Sequence, residues 1–369
     1  MLYLDYCATT PVNKKVLDTF NEVSLNYIGN PNSLHKLGKE SNELIENATK
    51  EIASLLNIKK EELIYTSGAS ESNNLAIKGI AFKYQNRGKH IITTMLEHSS
   101  IIGPLSYLQQ QGFEIDFVNI LDTGLVDLNH LKTLIRDDTI LISICAVDSE
   151  LGIRQPVEEI GLLLKNYPNL FFHVDITQCL GKDKIDLSNI DLASFSSHKI
   201  YGLKGIGGLI KKESIMLEPL IHGGKSTTVY RSGTPPIGLI VSLKEALKLI
   251  LNEIDNNKIY VSNLNKKIRS YLIKHNNIVI NSTNYAIPNV INFSIKDIQR
   301  EVFRDKLAKD NIYISMQSAC SNENALSKPV YAVTKDEDRS LSSLRISLSH
   351  LTKEKDLDIL FKSFDKHLR

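Results

Sequence analysis

Two reactive side chains each stand just after an apolar run. Phe172-His-Val-Asp175-Ile-Thr-Gln178 places an acid at the end of one predicted strand, and Ser196-Ser-His198-Lys199 follows another, Leu192-Ala-Ser-Phe195. An amine and a carboxylate delivered to one edge of a sheet are what a pyridoxal cofactor needs: the amine for a Schiff base, the acid for the pyridinium nitrogen. Singly, each has a plainer reading. A lone lysine is usually solvated surface, and an acid after a strand is usually a turn or cap residue.

Upstream, Thr66-Ser-Gly-Ala-Ser-Glu-Ser-Asn-Asn-Leu-Ala-Ile-Lys78 sets a turn of small residues between a strand and a helix. Unpaired N–H groups and the positive end of a helix dipole meet there, which suits a phosphate, although Ser70 is also the residue type that simply caps a helix. Four cysteines, Cys7, Cys145, Cys179 and Cys320, are too widely spaced for a disulfide scaffold or a compact zinc site. Cys320 sits in the polar stretch Gln317-Ser-Ala-Cys-Ser-Asn-Glu-Asn-Ala325 and is a candidate nucleophile, whereas Cys145, in Ile144-Cys-Ala-Val147, reads as core.

The elements that must carry these groups alternate. Strand-like runs Glu62-Leu-Ile-Tyr-Thr66, His90-Ile-Ile-Thr-Thr94, Glu114-Ile-Asp-Phe-Val118, Thr139-Ile-Leu-Ile-Ser-Ile144 and Leu170-Phe-Phe-His-Val174 are separated by helical patterns over 71–85, 99–111, 127–135 and 156–166. This rhythm predicts an α/β fold with a mostly parallel sheet between helices, binding its ligand at the carboxyl ends of the strands. A long helical pattern from 238 continues into a second from 259. Beyond it, strand-like Asn289-Val-Ile-Asn-Phe293, a helix over 299–309 and a terminal helix after Thr352 predict a smaller α+β unit.

The 369 residues are 42% hydrophobic and 23% charged, the composition of a globular protein long enough for two domains. Lys and Arg number 44 against 42 Asp and Glu, so no strong field draws in nucleic acid or an anionic membrane. No run approaches the roughly 18 apolar residues of a membrane span, and Met1-Leu-Tyr-Leu-Asp-Tyr6 lacks the pattern of a secretion signal. A cytoplasmic protein acting on a small molecule or a protein partner is expected.

In order and spacing, these segments resemble the cysteine desulfurases of the NifS/IscS type, class-V aminotransferase relatives with the type I fold of pyridoxal-phosphate enzymes. The segments are Leu4-Asp-Tyr-Cys-Ala-Thr-Thr-Pro-Val12, Gly29-Asn-Pro-Asn-Ser33, 66–79, Glu97-His98, His173-Val-Asp175, 196–205, Arg231-Ser-Gly-Thr234, Ser318-Ala-Cys-Ser321 and Leu344-Arg-Ile-Ser347. The resemblance implies a large cofactor domain at 13–250 with a seven-stranded sheet, and a small domain from 1–12 and 251–369 carrying the cysteine loop.

It further implies that pyridoxal 5′-phosphate is bound by Lys199, with Asp175 on the ring nitrogen, Gln178 on the phenolic oxygen and His98 stacked on the ring. Ala69, Ser70, Ser196 and His198 would take the phosphate, with Thr234 reaching in from a second subunit of a homodimer. Arg345 would hold the carboxylate of L-cysteine, and Cys320 would receive its sulfur as a persulfide, its thiolate formed or positioned by a base such as His98. The sulfur would pass to an acceptor protein of iron–sulfur cluster assembly or tRNA thiolation.

Three departures from the family pattern stand out. Ser149, in Val147-Asp-Ser-Glu150, stands where an amide near the substrate is usual. Gly223-Gly-Lys-Ser-Thr-Thr-Val-Tyr-Arg231 lacks a third glycine and the Gln/His-Glu pair, and Gln317 replaces a glycine. A selenocysteine lyase or aminotransferase of the same fold, and a sulfur-trafficking scaffold with little catalysis, are the competing readings.

Overall fold

A computed structural model describes residues 1–316 and 326–368. The chain opens with a two-residue strand, β1 (Leu2–Tyr3), and two helices, α1 (Lys14–Asn26) and α2 (Lys36–Leu56). The alternating part follows as β2 (Leu63–Thr66), α3 (Ala69–Tyr84), β3 (His90–Thr93), α4 (Ser99–Gln110), β4 (Glu114–Phe117), α5 (Leu128–Leu134), β5 (Thr139–Ser143), α6 (Val157–Leu164), β6 (Phe171–Asp175), β7 (Leu192–Ser196) and β8 (Gly207–Lys211). Each strand and helix expected between 62 and 174 is present, with only small shifts at its ends.

The seven strands β2 to β8 form one sheet in the order β2-β8-β7-β6-β5-β3-β4. Its pairs are parallel except at β8, which runs antiparallel to both β2 and β7. Successive strand side chains point to opposite faces, and the core divides accordingly. Leu63, Ile92, Ile142, Ala193 and Ile210 join a cluster with Ile45 and Ile52 of α2. Their neighbours Ile64, Ile91, Leu141, Leu192 and Leu209 join a second with Leu75 and Ile80 of α3 and Leu105 of α4. Apolar side chains on both faces bury the sheet between helices, as parallel strands require.

The chain then runs through α7 (Ile237–Asn252), which packs on α1 and α2, and α8 (Ile254–Leu272). The rest comprises β9 (Ile278–Ile280), β10 (Val290–Ile295), α9 (Arg300–Lys309), β11 (Ile312–Tyr313), α10 (Lys328–Thr334), α11 (Glu337–Leu341), β12 (Ser343–Ser347) and α12 (Leu357–His367). β12, β10 and β9 make an antiparallel sheet whose own core includes Ile268, Phe293, Phe303 and Phe364. Leu2 and Leu4 belong to that core, because β1 pairs in parallel with β11. No helix among the described residues is long and apolar enough to cross a membrane.

Candidate active site

The antiparallel β8 brings distant turns together. Thr66 and Ser196, the last residues of β2 and β7, both stand in register with Gly207, one on each side of it. β6 lies beyond β7 and ends in Asp175, opposite Ser194. The small-residue turn, the lysine turn and the acid therefore share one sheet edge, where a cavity of about 360 Å³ opens.

At one corner is the start of α3. Gly68 has φ of +154°, and a Cβ there would stand 3.3 Å from the Ser196 hydroxyl. It caps α3 with no side-chain bond, leaving the first N–H groups of the helix, at Ala69 and Ser70, beside the cavity with the positive end of the dipole. Ser196 and His198 complete this corner. His198 Nδ1 lies 3.1 Å from Thr9 Oγ1, and burial together with Lys199, Lys204 and Lys182 pulls its pKa down to about 4, leaving a neutral ring.

Asp175 is buried at the end of β6. Its Oδ1 accepts from the Thr177 N–H at 2.9 Å, a local turn that ends the strand, and its Oδ2 accepts from Asn73 Nδ2 at 2.9 Å. Lys199 follows β7 on a short 3₁₀ turn and donates through Nζ to the carbonyls of Cys7 at 2.5 Å and Ala8 at 2.7 Å. Burial, reinforced by the charge of Lys182, lowers its pKa to about 8. Lys182 itself donates to Gln178 Oε1 at 2.5 Å, and Gln178 Nε2 donates to the same Cys7 carbonyl at 2.9 Å. As a donor-only group, Lys182 fixes which end of the Gln178 amide faces the Cys7 carbonyl.

Across the cavity, Arg345 on β12 is 1% exposed. Nη2 donates to Asp5 Oδ1 at 2.7 Å and Nη1 to the Ser149 carbonyl at 2.6 Å, while Nε has no partner among the described residues. The departure at 148–149 has a structural use. The fully buried Asp148 carboxylate accepts from the N–H groups of Glu150 (2.9 Å), Leu151 (2.6 Å) and Ile153 (2.8 Å), building the turn that presents the Ser149 carbonyl. Burial lifts the Asp148 pKa to about 6 against those three bonds.

Of the residues singled out in the sequence, Ala69, Ser70, His98, Ser149, Asp175, Gln178, Ser196, His198, Lys199 and Arg345 all line this cavity. Thr234 does not; it is exposed in the segment leading to α7. Cys320 and Gln317 lie outside the described residues. Cys145 and Cys7 are buried on the cavity wall, and burial raises the Cys145 pKa well above that of a free thiol. Cys179, also buried, is pushed up to about 12. Sequence reasoning missed Asp5, Asn73, Lys182 and the carbonyls of Cys7 and Ala8.

The donor set fits pyridoxal 5′-phosphate. A helix start with free N–H groups, a buried carboxylate, a buried amine of lowered pKa and an unpartnered guanidinium nitrogen surround one space. The family model for aminotransferase class-V matches residues 2–360.

The chain belongs to the class-V aminotransferase family. Within it the chain is of the NifS/IscS cysteine desulfurase type. It is 36% identical over 375 residues to the mitochondrial cysteine desulfurase of Saccharomyces cerevisiae, covering 100% of this chain and 75% of that protein. A solved NifS-like protein superposes with a TM-score of 0.93 at 31% identity, over 99% of this chain and 98% of that one. A second structure, described as SspA in complex with cysteine, has a TM-score of 0.83 at 32% identity, over 94% and 99%.

Proposed function

We propose that this chain is a pyridoxal-phosphate-dependent cysteine desulfurase that converts L-cysteine to L-alanine and carries the sulfur as a persulfide on Cys320. The observation that carries this reading is Lys199, a buried amine with a pKa of about 8, in one cavity with a buried carboxylate and a guanidinium. When bound, the cofactor supplies an electron sink that lets the substrate α-proton leave.

The chain's own groups do the rest. Lys199 Nζ, roughly a tenth neutral at pH 7, anchors the cofactor and then takes and returns the α-proton. Asp175 holds the ring nitrogen in its protonated form, and Gln178 serves the phenolic oxygen. Ala69, Ser70, Ser196 and His198 hold the phosphate, joined by Thr234 of the partner subunit in a homodimer. Arg345 orients the substrate carboxylate with its guanidinium, held in place by Asp5 and the Ser149 carbonyl. The Cys320 thiolate attacks the substrate sulfur: a sulfur–sulfur bond forms, the carbon–sulfur bond breaks, and its electron pair stays on carbon, which takes a proton to become the methyl of alanine.

The test is an assay of alanine and sulfide with L-cysteine and a thiol reductant. Equal yields of the two support the reading; a keto acid in place of alanine identifies an aminotransferase, and release from selenocysteine alone identifies a lyase. Sedimentation tests the homodimer. The persulfide would be delivered to an acceptor protein serving iron–sulfur assembly or tRNA thiolation.

A further inference from the structure

Two side chains with no expected role, Asn73 on α3 and Ser100 on α4, join Asp175 to His98. Asn73 Nδ2 lies 2.9 Å from Asp175 Oδ2 and 2.9 Å from Ser100 Oγ. Ser100 Oγ lies 2.8 Å from His98 Nδ1, and the Ser100 N–H points at the same nitrogen from 3.1 Å, because His98 is the N-cap of α4. Asn73 is completely buried.

The direction of each proton follows from what each group can do. A carboxylate only accepts, so Asn73 must turn its NH₂ toward Asp175; its second hydrogen then goes to Ser100 Oγ. Ser100, already receiving a proton at oxygen, gives its one hydroxyl hydrogen to His98 Nδ1. The Ser100 N–H is a fixed donor to that nitrogen, which must therefore present a bare lone pair, and the hydroxyl hydrogen joins it there. The ring proton is left on Nε2, which has no partner among the described residues, on a ring that lines the cavity.

We propose that Asn73 and Ser100 are positioning residues that lock His98 as the neutral ring protonated on Nε2, so that it offers the bound substrate a hydrogen-bond donor and not a proton acceptor. A proton added at Nδ1 would meet the fixed Ser100 N–H head-on and would force the Ser100 hydroxyl to turn its hydrogen away. Burial also disfavours the charged ring; Asp175 opposes this and Lys199 reinforces it. The consequence for sulfur transfer rests on the desulfurase reading: the base expected at His98 is absent, and proton movement falls to Lys199. The tautomer itself does not depend on that reading.

The experiment is NMR of the full-length holoenzyme with histidine labelled at both ring nitrogens, His98 being assigned by the signal lost in His98→Gln. Nδ1 is expected at the unprotonated shift and Nε2 at the protonated one, unchanged from about pH 6 to about pH 8, across the range where a free imidazole titrates. Ser100→Ala should shift the signals toward a tautomer mixture, and Ser100→Thr should restore the wild-type pattern. A proton on Nδ1, an imidazolium at neutral pH, or an Ser100→Ala spectrum identical to wild type would overturn the proposal. Because the spectrum is read without turnover, failure of the desulfurase reading shows separately, in the alanine assay.

Discussion

Asp5 and Arg345, 340 residues apart in the chain, are joined by a 2.7 Å bond from Nη2 to Oδ1. Asp5 is the counter-charge of a guanidinium that is almost completely buried. Removing it with Asp5→Ala should cost about 3 kcal/mol of stability, because a buried charge is left without its partner; a urea midpoint equal to wild type would contradict this. Arg345→Lys keeps the charge but loses the planar fork. It should raise KM for cysteine by about tenfold or more with a smaller change in kcat, as expected for a charge-assisted hydrogen bond of about 1.5–3 kcal/mol.

Lys199→Ala should bind no cofactor covalently. After borohydride reduction, wild type should carry one cofactor mass on the peptide containing Lys199 and the variant none. With the Lys199 pKa lowered to about 8, recombination of the apoprotein with pyridoxal phosphate should accelerate about tenfold per pH unit and level off above about pH 8. A plateau beginning only near pH 10 would mean that the amine is not held as described.

Glu97 links pH to stability. Oε1 accepts from the Thr94 hydroxyl at 2.8 Å and the Cys145 N–H at 2.9 Å, Oε2 has no partner among the described residues, and burial raises the pKa to about 8. Between about pH 4.5 and about pH 8 the folded chain keeps a proton that the unfolded chain has released, so stability from this group falls as pH rises through that window. Glu97→Gln removes the dependence. Its melting temperature should gain on wild type steadily from about pH 5 to about pH 8, and a constant difference would place the titration elsewhere.

Cys320→Ser should stop sulfur release while the cofactor stays bound, since a hydroxyl is a far weaker nucleophile and cannot hold a persulfide. Mass spectrometry of wild type after brief exposure to cysteine without reductant should find one added sulfur on the peptide containing Cys320. Finding it on Cys7, Cys145 or Cys179 would reassign the acceptor.

Asp175 and Lys199 were legible because one ends and the other closely follows a run whose apolar pattern marks a strand, and strand ends collect at one sheet edge. β8 was not: Gly207-Gly-Leu-Ile-Lys211 carries two glycines and little strand signature, yet its reversed direction brings Thr66 and Ser196 level with Gly207, one on each side. α1 buries only Val16 and Val23, and the buried face of α2 includes Gly38 and Ser41, so neither shows an unbroken apolar stripe. The carbonyls of Cys7 and Ala8 escaped for another reason. A backbone acceptor leaves no trace in residue type, and only the fold reveals that it holds a lysine.

The place of β1 also orders events in time. A ribosome delivers the N-terminal residues first, but Leu2 finds its β partner only at Ile312, and Asp5 its guanidinium only at Arg345. The carbonyls of Cys7 and Ala8 must reach Lys199 from a segment anchored by those late partners. The segment from Leu2 to Ala8 is thus seated only once the chain as far as Arg345 is available to hold it. Until Ile312 and Arg345 are made, the large sheet stands without the closure that the Cys7 and Ala8 carbonyls bring to Lys199.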